Sequence, residues 1–238
     1  MRHGRAKAAR RTLQFFHRTQ GIHSPYHILL DGTFVVAVMK YNLPLMERLD
    51  RLLQHAAVHL FMTQSSVEEL EKLKMHAAAD SDNKVLLEQA HQWALKHCQN
   101  NNILTDIPSR QDCSSNIHKS VWDKLSTAGQ DLLCLVASKS AAGEQAGKQK
   151  FFVASQDETL LDVVRNLGSV PVIRLQRGSV LLLESPSKVA SQQDSREERQ
   201  KWSGKGSVTE QEKKLVDCVK EQERRERRKE VDTIASTG

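Results

Sequence analysis

The sequence predicts an α/β sandwich built on a mostly parallel sheet, and three observations carry that expectation. Between about residues 26 and 186, short apolar runs of strand length alternate with amphipathic stretches of helical period. Gly and capping residues stand where those stretches change over. Outside this region the chain is charged and has little to bury.

The elements follow in order. His27–Leu30 reads as a short buried strand ending at Asp31, with Asp31-Gly32 as the turn after it. Phe34–Met39 and Leu43–His55 read as helices, the second with Leu45, Leu49, Leu52 and Leu53 on one face. Val58–Met62 is a second strand. It leads into Ser65-Ser66-Val67-Glu68, which has the form of a capping box, so a helix should run from there to about Met75. Lys84–Cys98 is another amphipathic helix. Residues 99–125 are rich in Asn, Ser, Asp and Gln and poor in large apolar side chains. Ala128–Ser138 is again helical, and Lys139–Lys150 reads as a small-residue polar loop. Phe151–Ala154 is a strand, Leu160–Leu167 a helix, and Val170–Leu175 and Ser179–Leu183 are strands; Gly168 stands at a helix C-cap and Gly178 at a turn.

The net charge is +6, and its position matters more than its size. Arg2, Arg5, Lys7, Arg10, Arg11 and Arg18 lie in a stretch without acids, and removing these six leaves residues 19–238 formally neutral. Residues 1–24 therefore read as a basic arm. It suits either a polyanionic partner, through counterion release, or a merely solubilising disordered terminus. Residues 25–188 are the expected folded domain. Residues 189–238 are a charged tail, helical or disordered, whose small apolar cluster is Leu215, Val216 and Val219.

Several function classes lose support. The longest apolar runs, Phe34–Met39 and Leu132–Ala137, are far too short to span a bilayer, and no secretory leader is evident. Four scattered cysteines make no disulfide framework, so a reducing, intracellular setting is expected. No phosphate loop, dinucleotide fingerprint or nucleophile elbow is present, which leaves no small-molecule substrate in view.

Two constellations carry chemistry. In an α/β sheet, ligands gather beyond the carboxyl ends of the strands. Asp31 stands at one such end and Asp157 at another, with Glu69 and Asp131 near the starts of helices. Four converging carboxylates would hold Mg²⁺ or Mn²⁺ for phosphodiester hydrolysis; taken singly, each suits a helix cap or first turn. Cys98, Cys113, His118 and Cys134 supply a Cys-Cys-His-Cys set for structural zinc. The spacing alone equally suits two buried helix cysteines and a surface imidazole. A metal would, however, supply fold energy to the polar segment 99–125.

The segments Pro25-Tyr26-His27-Ile28-Leu29-Leu30-Asp31-Gly32-Thr33-Phe34, Val67-Glu68-Glu69-Leu70-Glu71-Lys72-Leu73 and Phe152-Val153-Ala154-Ser155-Gln156-Asp157 resemble a PIN domain. With Arg5-Ala6-Lys7-Ala8-Ala9-Arg10-Arg11 through Phe15-Phe16, and Leu183-Glu184-Ser185-Pro186-Ser187-Lys188, they are similar to the eukaryotic ribosome-biogenesis branch of that family. The resemblance covers about residues 5–188. It implies a PIN-like α/β/α sandwich in which Asp31, Glu69 and Asp157 match three family acids and Asp131 is the candidate fourth. Thr159 stands where active relatives carry a further acid, which implies a largely non-catalytic PIN domain; a metal-dependent endoribonuclease is the alternative. The resemblance also implies a zinc-binding insertion at 99–125, with His97 as a substitute ligand for Cys134. Its remaining implications are pre-rRNA and small nucleolar RNA as partners, the small-subunit processome and its proteins, 18S rRNA maturation and a nucleolar location.

Overall fold

A computed structural model describes residues 2–78, 81–98, 102–114, 117–137, 150–177 and 179–202. The chain divides into two units, Met1–Ser191 and Gln192–Gly238. The first unit is built on a six-stranded sheet: β1 (Tyr26–Leu30), β2 (Val58–Thr63), β3 (Ile103–Leu104), β4 (Phe151–Ala154), β5 (Val172–Gln176) and β6 (Val180–Leu183). The strand order is β3-β2-β1-β4-β5-β6. All pairs are parallel except β5 with β6, which run antiparallel.

The period-two alternation of the strands sorts their side chains onto two faces. Ile28, Leu30, Phe152 and Ala154 enter one core, and Leu29, Phe151 and Val153 enter the other. The first core is roofed by α1 (Arg2–Gln20), α2 (Gly32–Lys40), α3 (Leu45–Leu52), α4 (Gln64–His76) and α5 (Asp82–His97). The second is roofed by α6 (Arg110–Ser114), α7 (Lys119–Trp122), α8 (Thr127–Ala137) and α9 (Glu158–Leu167). The expected α/β sandwich with a mostly parallel sheet is thus the observed architecture.

Three expectations change. The basic stretch is a helix, not a loose arm. Ala9, Thr12, Leu13 and Phe16 recur at helical spacing and are buried, and Leu13 and Phe16 join the first core beside Leu175 and Leu183. The segment 99–125, of which 99–101 and 115–116 lie outside the described residues, is better supplied with apolar anchors than its composition suggests. Cys113, Trp122 and Leu125 are buried in the second core, with Leu104, Ile107, Ile117 and Val121 packed against it. It also supplies β3, which pairs Ile103 and Leu104 with Met62 and Thr63 of β2. Finally, α4 is capped by Thr63, whose side chain accepts from the Ser66 amide, so the cap falls two residues before the expected Ser65.

Gly168 closes α9 in the left-handed conformation (φ 72°), as its position predicts. The loop 139–149 and the cluster Leu215, Val216 and Val219 lie outside the described residues. Of the charged tail, Lys188–Trp202 is the helix α10. Among the described residues, no helix is long and apolar enough to cross a membrane.

Candidate functional site

The chain runs outward from β1 to β2 and β3, then returns to lay β4 on the other side of β1. Connections leaving the carboxyl ends of β1 and β4 therefore diverge, which opens a crevice between them. Asp31 follows β1 directly, and Asp157 stands three residues past the end of β4 as the N-cap of α9. Glu69, on the second turn of α4, reaches the same place. All three line one cavity of about 290 Å³, with Thr33, Ser66 and Ser126 as polar neighbours and Val36, Leu70, Leu87 and Leu160 as apolar wall.

Each carboxylate is fixed differently. Asp31 is buried, and its Oδ2 accepts hydrogen bonds from Thr33 Oγ1 and from Ser155 Oγ (2.7 Å). Burial raises its carboxyl above the usual range, against the opposing effect of those two hydroxyls, and the charge of Asp157 adds to the rise. Ser155 also accepts from the Asp157 amide at 3.0 Å, so one hydroxyl ties the ends of both strands together. Asp157 accepts from the Thr159 amide at 2.9 Å as a helix cap. Glu69 is half-buried and accepts from Ser126 Oγ at 3.2 Å. Burial lifts its carboxyl as well, and the charges of Asp31 and Asp157 add to the rise. Gly32 packs closely: a Cβ there would meet Leu70 Cγ at 3.3 Å, so a larger residue would require the Leu70 side chain to shift by a few tenths of an ångström.

Asp131 stands apart from the other three. It is buried at the start of α8 and bound in bidentate fashion by Arg110, with Nε to Oδ1 at 2.5 Å and Nη2 to Oδ2 at 2.8 Å. Burial pushes its carboxyl up, but the hydrogen bonds from Arg110 and Ser65 and the Arg110 charge outweigh this and hold it below the usual range. The structure therefore joins Asp31, Glu69 and Asp157 and withdraws Asp131 into an ion pair.

The donor chemistry of the three suits a hard divalent cation. They share a cavity, but among the described residues no three His, Cys, Asp or Glu side chains form a group close enough to ligate one ion directly. A cation here would be held partly through water, as Mg²⁺ commonly is.

The expected zinc set is not assembled. Cys113 and Cys134 lie side by side within hydrogen-bonding reach in the second core. Cys98 packs in the first core, on the other face of the sheet, and burial pushes its thiol up to about 12. His118 is exposed and bonded to Ser120 Oγ at 2.8 Å. His97 stacks on Trp93 at 4.2 Å and bonds the Trp93 carbonyl. As placed, these residues do not fit a tetrahedral ion. The reason is topological: α5 ends on one side of the sheet, while α6 and α8 cover the other.

Among the expected RNA-contacting residues, Arg5, Lys7, Arg10, Arg11 and Arg18 are exposed along α1; the side chain of Arg2 lies outside the described residues. Sequence reasoning missed Thr33, Ser155, Ser126 and Arg110. The first two had a signal, since Asp31-Gly32-Thr33 and Ser155-Gln156-Asp157 each set a hydroxyl two positions from an acid. Arg110 had none, being 21 residues from Asp131 in a stretch read as a metal insertion.

No protein-family model matches the sequence. Among solved structures, the chain is similar to the PIN domain endonuclease Utp24, at 18% identity and a TM-score of 0.45; the match covers 71% of this chain and 98% of that one.

Proposed function

We propose that this chain is a PIN-domain factor of ribosome biogenesis, of the UTP twenty-three type and related to Fcf-one, that works as an RNA-associated module with little or no nuclease activity. In this reading it belongs to the small-subunit processome, contacts pre-rRNA and small nucleolar RNA during 18S rRNA maturation, and resides in the nucleolus. The observation that carries the non-catalytic reading is the pairing of Asp131 with Arg110, which leaves three carboxylates at the crevice instead of four. The segments matching the PIN pattern support it, because Asp31, Glu69 and Asp157 are the residues that meet at the cavity.

The rival reading, a metal-dependent endoribonuclease, is favoured by that same meeting of three acids at a topological switch point. A Mg²⁺ or Mn²⁺ ion held there would activate water and stabilise the leaving oxygen of a phosphodiester. Asp31, oriented by Thr33 and Ser155, would be the anchoring carboxylate, with Glu69 and Asp157 on either side. Loss of the fourth charge removes the clamp that a second ion would require. Incubating single-stranded RNA with Mn²⁺ and either wild type or Asp157→Asn decides between them. Equal, background-level cleavage is expected; robust wild-type cleavage that disappears in the variant gives the site to the enzyme.

A further inference from the structure

A second concavity, wider than the acidic cavity, lies away from the carboxylates. A groove of about 550 Å³ runs between α1 and α3 over β6, and shares no lining residue with the acidic cavity. One wall is Arg5, Ala6 and Ala9 of α1, and the other is Arg48, Arg51, Leu52 and Gln54 from α3 and the turn after it. The floor is 179–183, the edge strand of the sheet. Among the described residues, three arginines line the groove and no acid does.

Helical geometry explains how a basic helix comes to aim one cation here. Arg5 lies one turn before Ala9, on the face that carries Ala9, Thr12 and Phe16 into the body. Lys7 and Arg11 lie on the opposite face and are exposed. On α3 the buried stripe is Leu45 and Leu49, and Arg48 and Arg51 flank it, facing α1 across the groove. Among the described residues Arg51 pairs with Glu47 at 3.7 Å; both side chains are about two-thirds exposed, a pairing worth little in water.

We propose that this groove binds the phosphate backbone of single-stranded RNA, with Arg5 on one side of the strand and Arg48 and Arg51 on the other. The inference rests on the RNA-associated reading above and locates the contact. Planar guanidinium forks suit phosphate oxygens, and the absence of acids in the lining gives charge complementarity. Among the described residues no aromatic lines the groove, so recognition is through the backbone, tolerant of sequence and steep in salt. An acidic peptide added along the edge of β6 is the competing occupant.

The test uses the full chain and a fluorescein-labelled twelve-nucleotide oligouridylate, titrated across a salt series, with an unlabelled poly-glutamate peptide of equal charge as competitor. The triple variant Arg5→Gln/Arg48→Gln/Arg51→Gln should bind at least tenfold more weakly, with its salt slope reduced by about 2, the value for three lost single-strand phosphate contacts. Lys119→Gln/Lys124→Gln, two exposed cations on the opposite face of the sheet, should change affinity less than threefold. Melting temperature and circular dichroism test whether the triple variant is folded; if it is not, Arg48→Gln/Arg51→Gln, at two exposed positions, carries the same test with a slope change of about 1.4. Wild type that binds oligouridylate with a slope untouched by these variants overturns the groove and leaves the RNA reading intact. Wild type that binds no RNA overturns both. Poly-glutamate competing as well as RNA assigns the groove to an acidic peptide and overturns the proposal.

Discussion

At the residue scale, Asp131 shows how a neighbour decides what an acid can do. A carboxylate with this little exposure is costly to ionise unless it is paired, and Arg110 supplies both hydrogen bonds and charge. Its carboxyl titrates lower in the folded chain than in the unfolded one, so the pair contributes stability above the unfolded carboxyl range, and that stability is lost as pH falls through the lowered folded value. In Arg110→Ala, burial is opposed only by the Ser65 hydrogen bond, so the carboxyl of Asp131 rises. The variant should lose about 1–3 kcal/mol at neutral pH, the cost of a buried acceptor left poorly satisfied. That deficit should shrink as acid protonates Asp131, and adding Asp131→Asn should recover much of it at neutral pH. Urea unfolding of the three chains at pH 7 and about pH 4.5 checks this; a deficit independent of pH would mean that Arg110 acts by packing alone. Of the four acids, three were legible because each follows a strand or opens a helix in a local pattern. The fate of Asp131 was not, because its partner lies in another element and nothing in the local sequence joins them.

At the scale of elements, α1 is the instructive case. Charge dominates its sequence, and Ala9, Thr12, Leu13 and Phe16 are too few and too small to outweigh five arginines and a lysine in any windowed reading. Yet they recur at helical spacing, and burial of Leu13 and Phe16 stabilises the fold by roughly 1.5–3 kcal/mol each. Strands β1, β2 and β4 were legible as short apolar runs of strand length bounded by turn and capping residues. The two-residue β3 and the helices α6 and α7 were not, being too short to show a period. Likewise, Cys98 and Cys134 are core residues that spacing alone could not tell from ligands. Phe16→Ala should therefore destabilise the domain by about 3–5 kcal/mol, measured by denaturant unfolding. A loss below 1 kcal/mol would return α1 to the status of an appended arm. It follows that deleting 1–18 would damage the core along with any phosphate contact, so charge-neutralising substitutions are the cleaner probe of binding.

At the scale of the whole first unit, the topology places two unlike sites on separate structures. The acidic cavity depends on the reversal of strand order between β1 and β4; the basic groove depends on two helices flanking an edge strand. With no shared lining residue, their perturbations should add. A divalent cation that binds only the folded chain stabilises it by the logarithm of its saturation, about 1.4 kcal/mol at ten times its dissociation constant. For a unit of this length that corresponds to a rise in melting temperature of about 3–6 °C. Mn²⁺ should therefore raise the melting temperature of wild type and, equally, of the triple arginine variant. In Glu69→Gln/Asp157→Asn the like charges around Asp31 are gone and the attraction for a cation with them, so the shift should vanish. Differential scanning calorimetry with and without Mn²⁺ measures all three. A shift that survives in the double carboxylate variant would place the ion elsewhere, and one that disappears in the arginine variant would mean that the two sites are coupled through the sheet.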